Sequence, residues 1–218
     1  NSNYYFLSIT VFSIFLFSSF KKSMSPAKTS SVVKKVNKKE PKKFKKNLNK
    51  YQKRKRLVLD AIDKVSKETG TPPELLEAIC RVESNLNPYA FKRNDGGRKN
   101  HAFGACQVLR KTGEALLETR DKGCDRDFQH VAYSQRNKKT CILFDPYHNV
   151  KAAALYLKKH IAKYDNLEDV VAGYNAGSAR RKKSSGQLIN KHYVDKVYGK
   201  LGIKLAQVEP KKSHKKSS

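Results

Sequence analysis

Acidic side chains are scarce in this 218-residue chain: 19 Asp and Glu stand against 47 Lys and Arg, for a formal net charge of +28. An excess of that size points to an anionic partner, whether nucleic acid, phospholipid surface or wall polymer, and says little about fold. Long strand patterns are missing throughout, which argues against a sheet-based architecture. No internal repeat is visible either. The four cysteines, Cys80, Cys106, Cys124 and Cys141, form no Cys-x-x-Cys pair and no zinc-like cluster, so neither a metal nor another cofactor is expected. Their even number permits disulfides in an exported chain. A Cys124–Cys141 bridge would staple the polar segment between them. Four unpaired thiols are the alternative, and the sequence leaves the pairing open.

The charge is distributed unevenly. Residues 21–56 carry sixteen Lys and Arg against the single acid Glu40, a local +15; residues 209–218 carry +3, which leaves +10 for the rest. Residues 21–50 are rich in Lys, Ser, Pro and Asn and poor in apolar side chains, the composition of a flexible linker. Ahead of them, Tyr4 to Phe20 is a seventeen-residue run without charge. A run of that length, followed at once by Lys21 and Lys22, reads as an export signal or membrane anchor. No Lys or Arg precedes it, no Ala-x-Ala cleavage pattern follows it, and no lipid-accepting Cys is present, so cleavage and retention both stay open. The expected division is a signal or anchor over 1–20, a basic disordered linker over 21–51, a folded domain over 52–207 and a basic tail over 208–218. The expected location is the periplasm or cell envelope.

Within the central segment the periodicity is helical. Val58, Ala61, Ile62 and Val65 share one face and stop at Gly70, a helix C-cap residue. Thr71-Pro72-Pro73-Glu74 predicts a new helix with Thr71 as N-cap, and Leu75, Ala78, Ile79 and Val82 as its buried stripe. That helix should end near Ser84, before Pro88. Residues 91–103 read as a loop or short hairpin. Asp145-Pro146 opens another helix with Val150, Ala153, Ala154, Leu157 and Ile161 inward. Asp165 or Asn166 caps a shorter one that ends at Asn175-Ala176-Gly177, and a last helix covers 190–201. The fold class is therefore mainly α, with a small loop or hairpin region.

Four short strings carry a family resemblance. Glu83-Ser84-Asn85-Leu86-Asn87-Pro88 resembles the ES-x-x-NP signature of the soluble lytic transglycosylase domain, a lysozyme-like, goose-type helical fold. Gly104-Ala105-Cys106-Gln107-Val108 is similar to its GLMQ motif, and Gly173-Tyr174-Asn175-Ala176-Gly177 to its AYNAG motif. Asp145-Pro146 with Asn149 resembles its DP-x-x-N element. All four occur in family order. Cys106 departs from the usual Leu or Met, and Gly173 from the usual Ala; neither change removes a reacting group.

The resemblance implies cleavage of peptidoglycan glycan strands with Glu83 as the catalytic acid and base. The residue chemistry agrees. Glycoside cleavage needs a proton delivered to a poor leaving oxygen while an oxocarbenium-like centre forms. A carboxyl group does this near neutral pH when its pKa is raised. Glu83 follows Ile79 and Val82 into an apolar neighbourhood and lies near a helix C-terminus, whose partial negative charge disfavours a carboxylate.

By the same resemblance Gln107 would bind the sugar or orient Glu83, and Tyr174 would donate its hydroxyl near Glu83 or to a substrate acetamido group. Ser84 would contact the glycan or the Glu83 carboxylate, Asn175 would line the substrate site while closing its helix, and Tyr193 would line the cleft. The only second acid nearby is Asp95, in an Asn94-Asp95-Gly96-Gly97 turn where Asp is a turn-former.

Two rival classes remain. A muramidase would use water activated by Asp95 or by a positioned backbone group. A non-catalytic basic protein would bind wall polymer or nucleic acid, but the Lys run lacks interleaved aromatics and no nucleic-acid module is present. The expected partner is the peptidoglycan strand, with the basic linker suited also to an anionic membrane surface.

Overall fold

The structure is a computed structural model and describes residues 49–203 other than 98; the apolar run, the linker up to residue 48 and the tail lie outside the described residues. Helix α1 spans Lys50–Thr69. It starts two residues ahead of the expected domain boundary at 52 because Asn49 and Gln52 form a capping box: the Gln52 amide donates to Asn49 Oδ1 at 2.9 Å, and the Asn49 amide donates to Gln52 Oε1 at 3.1 Å. Its inner stripe is Val58, Ala61, Ile62 and Val65, and it ends at Gly70 with φ 70°.

Helix α2 spans Pro73–Ser84, and here the expected cap is corrected. Pro72, not Thr71, precedes the first turn, and it offers no side-chain cap. Pro72 is itself followed by a proline, which drives it to an extended ψ of 120°, so the helix opens one residue later. Thr71 is 2 % exposed, and its hydroxyl accepts from Thr69 Oγ1 at 2.9 Å. The C-cap is Asn85 in left-handed geometry, followed by the fully buried Leu86.

The chain then forms a three-stranded antiparallel sheet from β1 (Phe91–Lys92), β2 (Ala102–Phe103) and β3 (Val108–Leu109). Phe91 faces Phe103, and Phe103 faces Val108. A short helix α3 (Arg110–Leu116) follows. Three 3-10 turns, Lys122–Asp125, Tyr133–Gln135 and Ile142–Phe144, then build the segment that shows no period in sequence. Cys124–Cys141 bridges it, as the spacing allowed. Phe103, Phe128 and Phe144 pack edge to face beneath it, with Phe128 and Phe144 centroids 4.9 Å apart. The buried Arg136 guanidinium donates to the carbonyls of Tyr89, Phe128 and Val131 and so holds the turns onto this small core.

Helix α4 (Pro146–Lys163) is capped by Asp145, whose side chain accepts from the His148 amide at 3.1 Å. It forms the spine of the main core, packed against α1, α3 and the next helix. Val150, Ala153, Ala154 and Leu157 are inward as expected, but Ile161 is 38 % exposed. His160 takes the inner position one residue earlier, in space left by Gly173 on the facing helix. Helix α5 (Leu167–Ala176) is capped by Asn166, and α6 (Lys191–Leu201) packs against α2. The described residues are thus mainly helical, with a small sheet at one edge. Among them no helix is long and apolar enough to cross a membrane.

Candidate active site

The last turn of α2 leaves Glu83 at the edge of the main core, half-buried, where it borders a cleft of about 440 Å³. Lys92, Asp95 and Gln107 from the sheet region, Thr112 from α3, Tyr156 from α4 and Tyr174, Asn175 and Gly177 from the end of α5 line the same cleft. A second depression of about 420 Å³ lies over the Cys124–Cys141 segment, and its lining includes no acid.

Glu83 is held as an acid. Burial away from water pushes its pKa from 4.5 up to about 7, with the Asp95 charge adding to the rise. The hydrogen bond from Tyr193 and the Lys92 charge act in the opposite direction and are outweighed. The Tyr193 hydroxyl donates to Glu83 Oε1 at 2.6 Å. Burial drives the Tyr193 phenol well above its ordinary value, so it remains a donor. Across the cleft Lys92 Nζ pairs with Asp95 Oδ1 at 2.5 Å.

The motif residues divide between the cleft and its support. Gln107 lines the cleft in left-handed geometry, φ 47°, and its Nε2 donates to Gly104 O at 3.0 Å. It makes no hydrogen bond to Glu83. Asn175 also lines the cleft, and its Oδ1 accepts from Asn190 Nδ2 at 3.0 Å.

Tyr174 does not donate to Glu83. It is 8 % exposed and its hydroxyl donates to Cys106 O at 2.9 Å, since a buried hydroxyl takes the nearest carbonyl. Ser84 meets neither the cleft nor the Glu83 carboxylate. Its hydroxyl donates to Ala105 O at 2.6 Å and accepts from the Asn87 amide at 3.0 Å, tying the helix end to the Gly104–Gln107 turn. Tyr193 stands behind Glu83 and not on the cleft wall.

That turn is built around Asn149. The Asn149 side chain accepts from the Cys106 amide at 2.9 Å and donates to Phe103 O and Leu143 O. A Cβ on Gly104, φ 70°, would lie 2.4 Å from Asn149 Nδ2 and 2.6 Å from Leu143 O, so only glycine fits there.

Both departures from the family strings now have a physical account. Cys106 is bonded to Cys80, one turn before Glu83, so a covalent link joins the acid's helix to the Gln107 turn. Gly173 accommodates His160, because a Cβ at 173 would lie 2.6 Å from His160 Nδ1. His160 is 5 % exposed, and neither ring nitrogen has a partner among the described residues. Burial lowers its pKa, and its ring lies edge-on to Tyr156, centroids 4.6 Å apart, bracing that wall of the cleft.

Sequence reasoning missed Tyr156, Lys92 and Thr112. Tyr156 shares α4 with ordinary core residues and carries no local signal. Lys92 and Asp95, three apart in a hairpin, are a readable pair. The tightest group of potential metal donors among the described residues, Asp121 with Cys124 and Cys141, has both sulfurs in a disulfide and so offers one carboxylate.

The family model for the transglycosylase SLT domain matches residues 60–194. The chain is 29 % identical over 179 residues to membrane-bound lytic murein transglycosylase C of Photorhabdus laumondii, covering 75 % of this chain and 45 % of that protein. It is also 29 % identical over 172 residues to the protein of the same name from Pectobacterium atrosepticum, covering 72 % and 43 %. Protein IpgF of Shigella sonnei is 27 % identical over 124 residues, covering 57 % of this chain and 70 % of that protein. The chain thus spans less than half the length of the two transglycosylases. The matched segment contains Glu83, Gln107, Asn149, Tyr174 and Tyr193, the residues that build and brace the cleft, and the chain belongs to the transglycosylase SLT family.

Proposed function

We propose that this protein is a peptidoglycan lytic transglycosylase. It cleaves the β-1,4 bond between N-acetylmuramic acid and N-acetylglucosamine and leaves a 1,6-anhydromuramoyl end. The observation that supports this most strongly is one carboxyl group, Glu83, pushed up to about 7 at the edge of the cleft, with the Tyr193 hydroxyl donating to it.

The protonated Glu83 gives its proton to the bridging oxygen as the bond from muramoyl C1 to that oxygen breaks. The carboxylate so formed, held by Tyr193, then takes the proton of the muramoyl C6 hydroxyl. That oxygen closes onto C1. One bond to C1 is exchanged for another, Glu83 regains its proton, and no water is consumed. A hydroxyl tethered to its target competes well with solvent because of its high effective molarity. Gln107 and Asn175, which line the cleft together, bind the sugar chain. Ser84, Tyr174 and Tyr193 act by positioning Glu83 and the Gln107 turn.

Asp95 on the same cleft favours a second reading, a muramidase in which that carboxylate activates water. Its ion pair with Lys92 favours a charge-setting role instead. The catalytic domain is taken to begin at the Asn49 cap of α1, ahead of the expected start at 52, and to run to 207, between the basic linker with its export or anchor segment (1–20) and the basic tail (208–218). A cell-envelope location fits the substrate and the membrane-bound naming of the relatives, and the linker's charge suits an anionic membrane surface over any specific nucleic acid.

The test is digestion of purified sacculi by the wild type and by Glu83→Gln, with mass analysis of the released muropeptides. Anhydro-ended products from the wild type and almost none from the variant are expected. Reducing-ended products would favour the muramidase, and equal activity in both proteins would end the proposal.

A further inference from the structure

Asn175, Ala176 and Gly177 form one lip of the cleft, and the chain leaves it at Gly177 with φ 76°. The segment that follows is a small built hairpin. Arg181 pairs antiparallel with Leu188, the Lys182 amide donates to Gln187 O at 2.8 Å, and the Ile189 amide donates to Arg180 O at 2.9 Å. Leu188, 1 % exposed, anchors it in the core. Its base is tied to the lip: the Ala179 amide donates to the Tyr164 hydroxyl at 2.9 Å, and Asn190 Nδ2 reaches both Ala172 O and Asn175 Oδ1 at 3.0 Å.

This hairpin carries four consecutive cations, Arg180 to Lys183, all exposed. Arg181 meets Asp169 Oδ1 at 2.5 Å. Arg180, Lys182 and Lys183 have no carboxylate partner among the described residues. Side chains alternate across an extended segment, so Arg180 and Lys182 project away from the face that Arg181 shares with Leu188. Arg180 lies three residues beyond Gly177 and Lys183 six, which bounds their backbones to about 11 and 21 Å from the lip.

The geometry points to the Arg180–Lys183 hairpin as a subsite for the free carboxylates of the stem peptides carried by a glycan strand in the cleft. This rests on the lytic transglycosylase reading of the cleft. Three unpaired cations within four residues repel one another and gain from an anion that arrives with the substrate. A stem of four extended residues spans about 14 Å, longer than the limit of about 11 Å between the lip and the Arg180 backbone, and the two long lysine side chains extend towards it from further along the hairpin. Arg180 supplies a planar fork for a carboxylate, and the two lysines supply point charges. A membrane lying on the same surface would crowd the mouth of the cleft that the strand must enter. The hairpin therefore selects peptide-bearing glycan over naked glycan.

The experiment compares the full chain with the Arg180→Ala/Lys182→Ala/Lys183→Ala variant on two substrates: peptide-bearing strands, and strands stripped of peptides by an amidase. Anhydro-end release is the readout, with a thermal melt to check folding and Arg180→Lys/Lys182→Arg/Lys183→Arg as a charge-preserving control. The expected result is a loss of about tenfold in kcat/KM on peptide-bearing strands at low salt, from three rim ion pairs. Naked strands should be cut equally by both proteins, the charge-preserving variant should retain the preference, and about 1 M salt should erase it. Equal rates for both proteins on both substrates would overturn the inference while leaving the proposed function intact, as would an equal loss on both. So would a variant that loses only binding to vesicles containing anionic lipid. Absence of anhydro ends from the wild type would instead sink the proposed function itself.

Discussion

The Tyr193 hydroxyl lies 2.6 Å from Glu83 Oε1, a contact between residues 110 positions apart that joins α6 to the end of α2. The bond lowers the pKa of a carboxyl that burial has raised. Tyr193→Phe removes the opposing influence, so the Glu83 pKa climbs beyond about 7 and the alkaline limb of the activity profile moves to higher pH. A hydrogen bond to a charged group contributes about 1.5–3 kcal/mol, so kcat should fall about 10- to 100-fold. A pH series of turnover rates checks both changes; a purely structural tyrosine would leave the limb in place.

The same burial has a thermodynamic consequence. Glu83 titrates at about 7 in the fold against 4.5 for an ordinary carboxyl, so the folded state holds the proton more tightly. Stability from this group is fully present below pH 4.5 and is lost as pH rises through about 7, a change of about 3 kcal/mol. Glu83→Gln cannot ionise. It should therefore match the wild type near pH 4 and exceed it by that amount near pH 9, as read from denaturant unfolding at the two pH values.

The Cys80–Cys106 disulfide closes a sequence separation of 26 residues and bonds the acid's helix to the Gln107 turn. Replacing both cysteines with serine should cost about 3 kcal/mol of stability and most of the activity, because the bridge is the covalent tie between the helix that ends in Glu83 and the turn that carries Gln107. The corresponding change at Cys124 and Cys141 should cost a similar stability but less activity, since that bridge lies by the second depression. Unfolding midpoints and turnover measured on the two double variants separate the roles.

Gly173 and His160 are a matched pair. Gly173→Ala pushes a methyl group into the imidazole, 2.6 Å from Nδ1, and should destabilise by about 1–3 kcal/mol. His160→Ala creates space, so the two changes combined should cost less than their sum. A double-mutant cycle of unfolding free energies measures this coupling. Strict additivity would show that the space at Gly173 serves something else.

Much of this was legible in the sequence, and what was not has definable causes. The stripe on α1, its Gly70 cap, the Asp145-Pro146 start of α4 and the Glu83 position on the last turn of α2 follow from short-range rules, and the structure agrees with them. Thr71 failed as a cap because two adjacent prolines delay the helix by one residue. Ile161 failed as a core residue because the facing helix opened space for His160 instead, which only a tertiary contact decides. Within the site, the family resemblance pointed to Glu83, Gln107 and Asn175, which do line one cleft, but it did not give the destinations of the hydroxyls. Tyr174 is committed to Cys106 and Ser84 to Ala105, while Tyr193 reaches Glu83; each outcome depends on packing between distant segments.

All of the proposed chemistry depends on Glu83 holding its proton near neutral pH. The direct measurement is a carbon-13 NMR titration of the glutamate side-chain carboxyls, with Glu83→Gln identifying the signal. One carboxyl that titrates near 7 and vanishes in the variant is the predicted result. A Glu83 signal that titrates near 4.5 would contradict the account, because a group ionised throughout the neutral range has no proton to give.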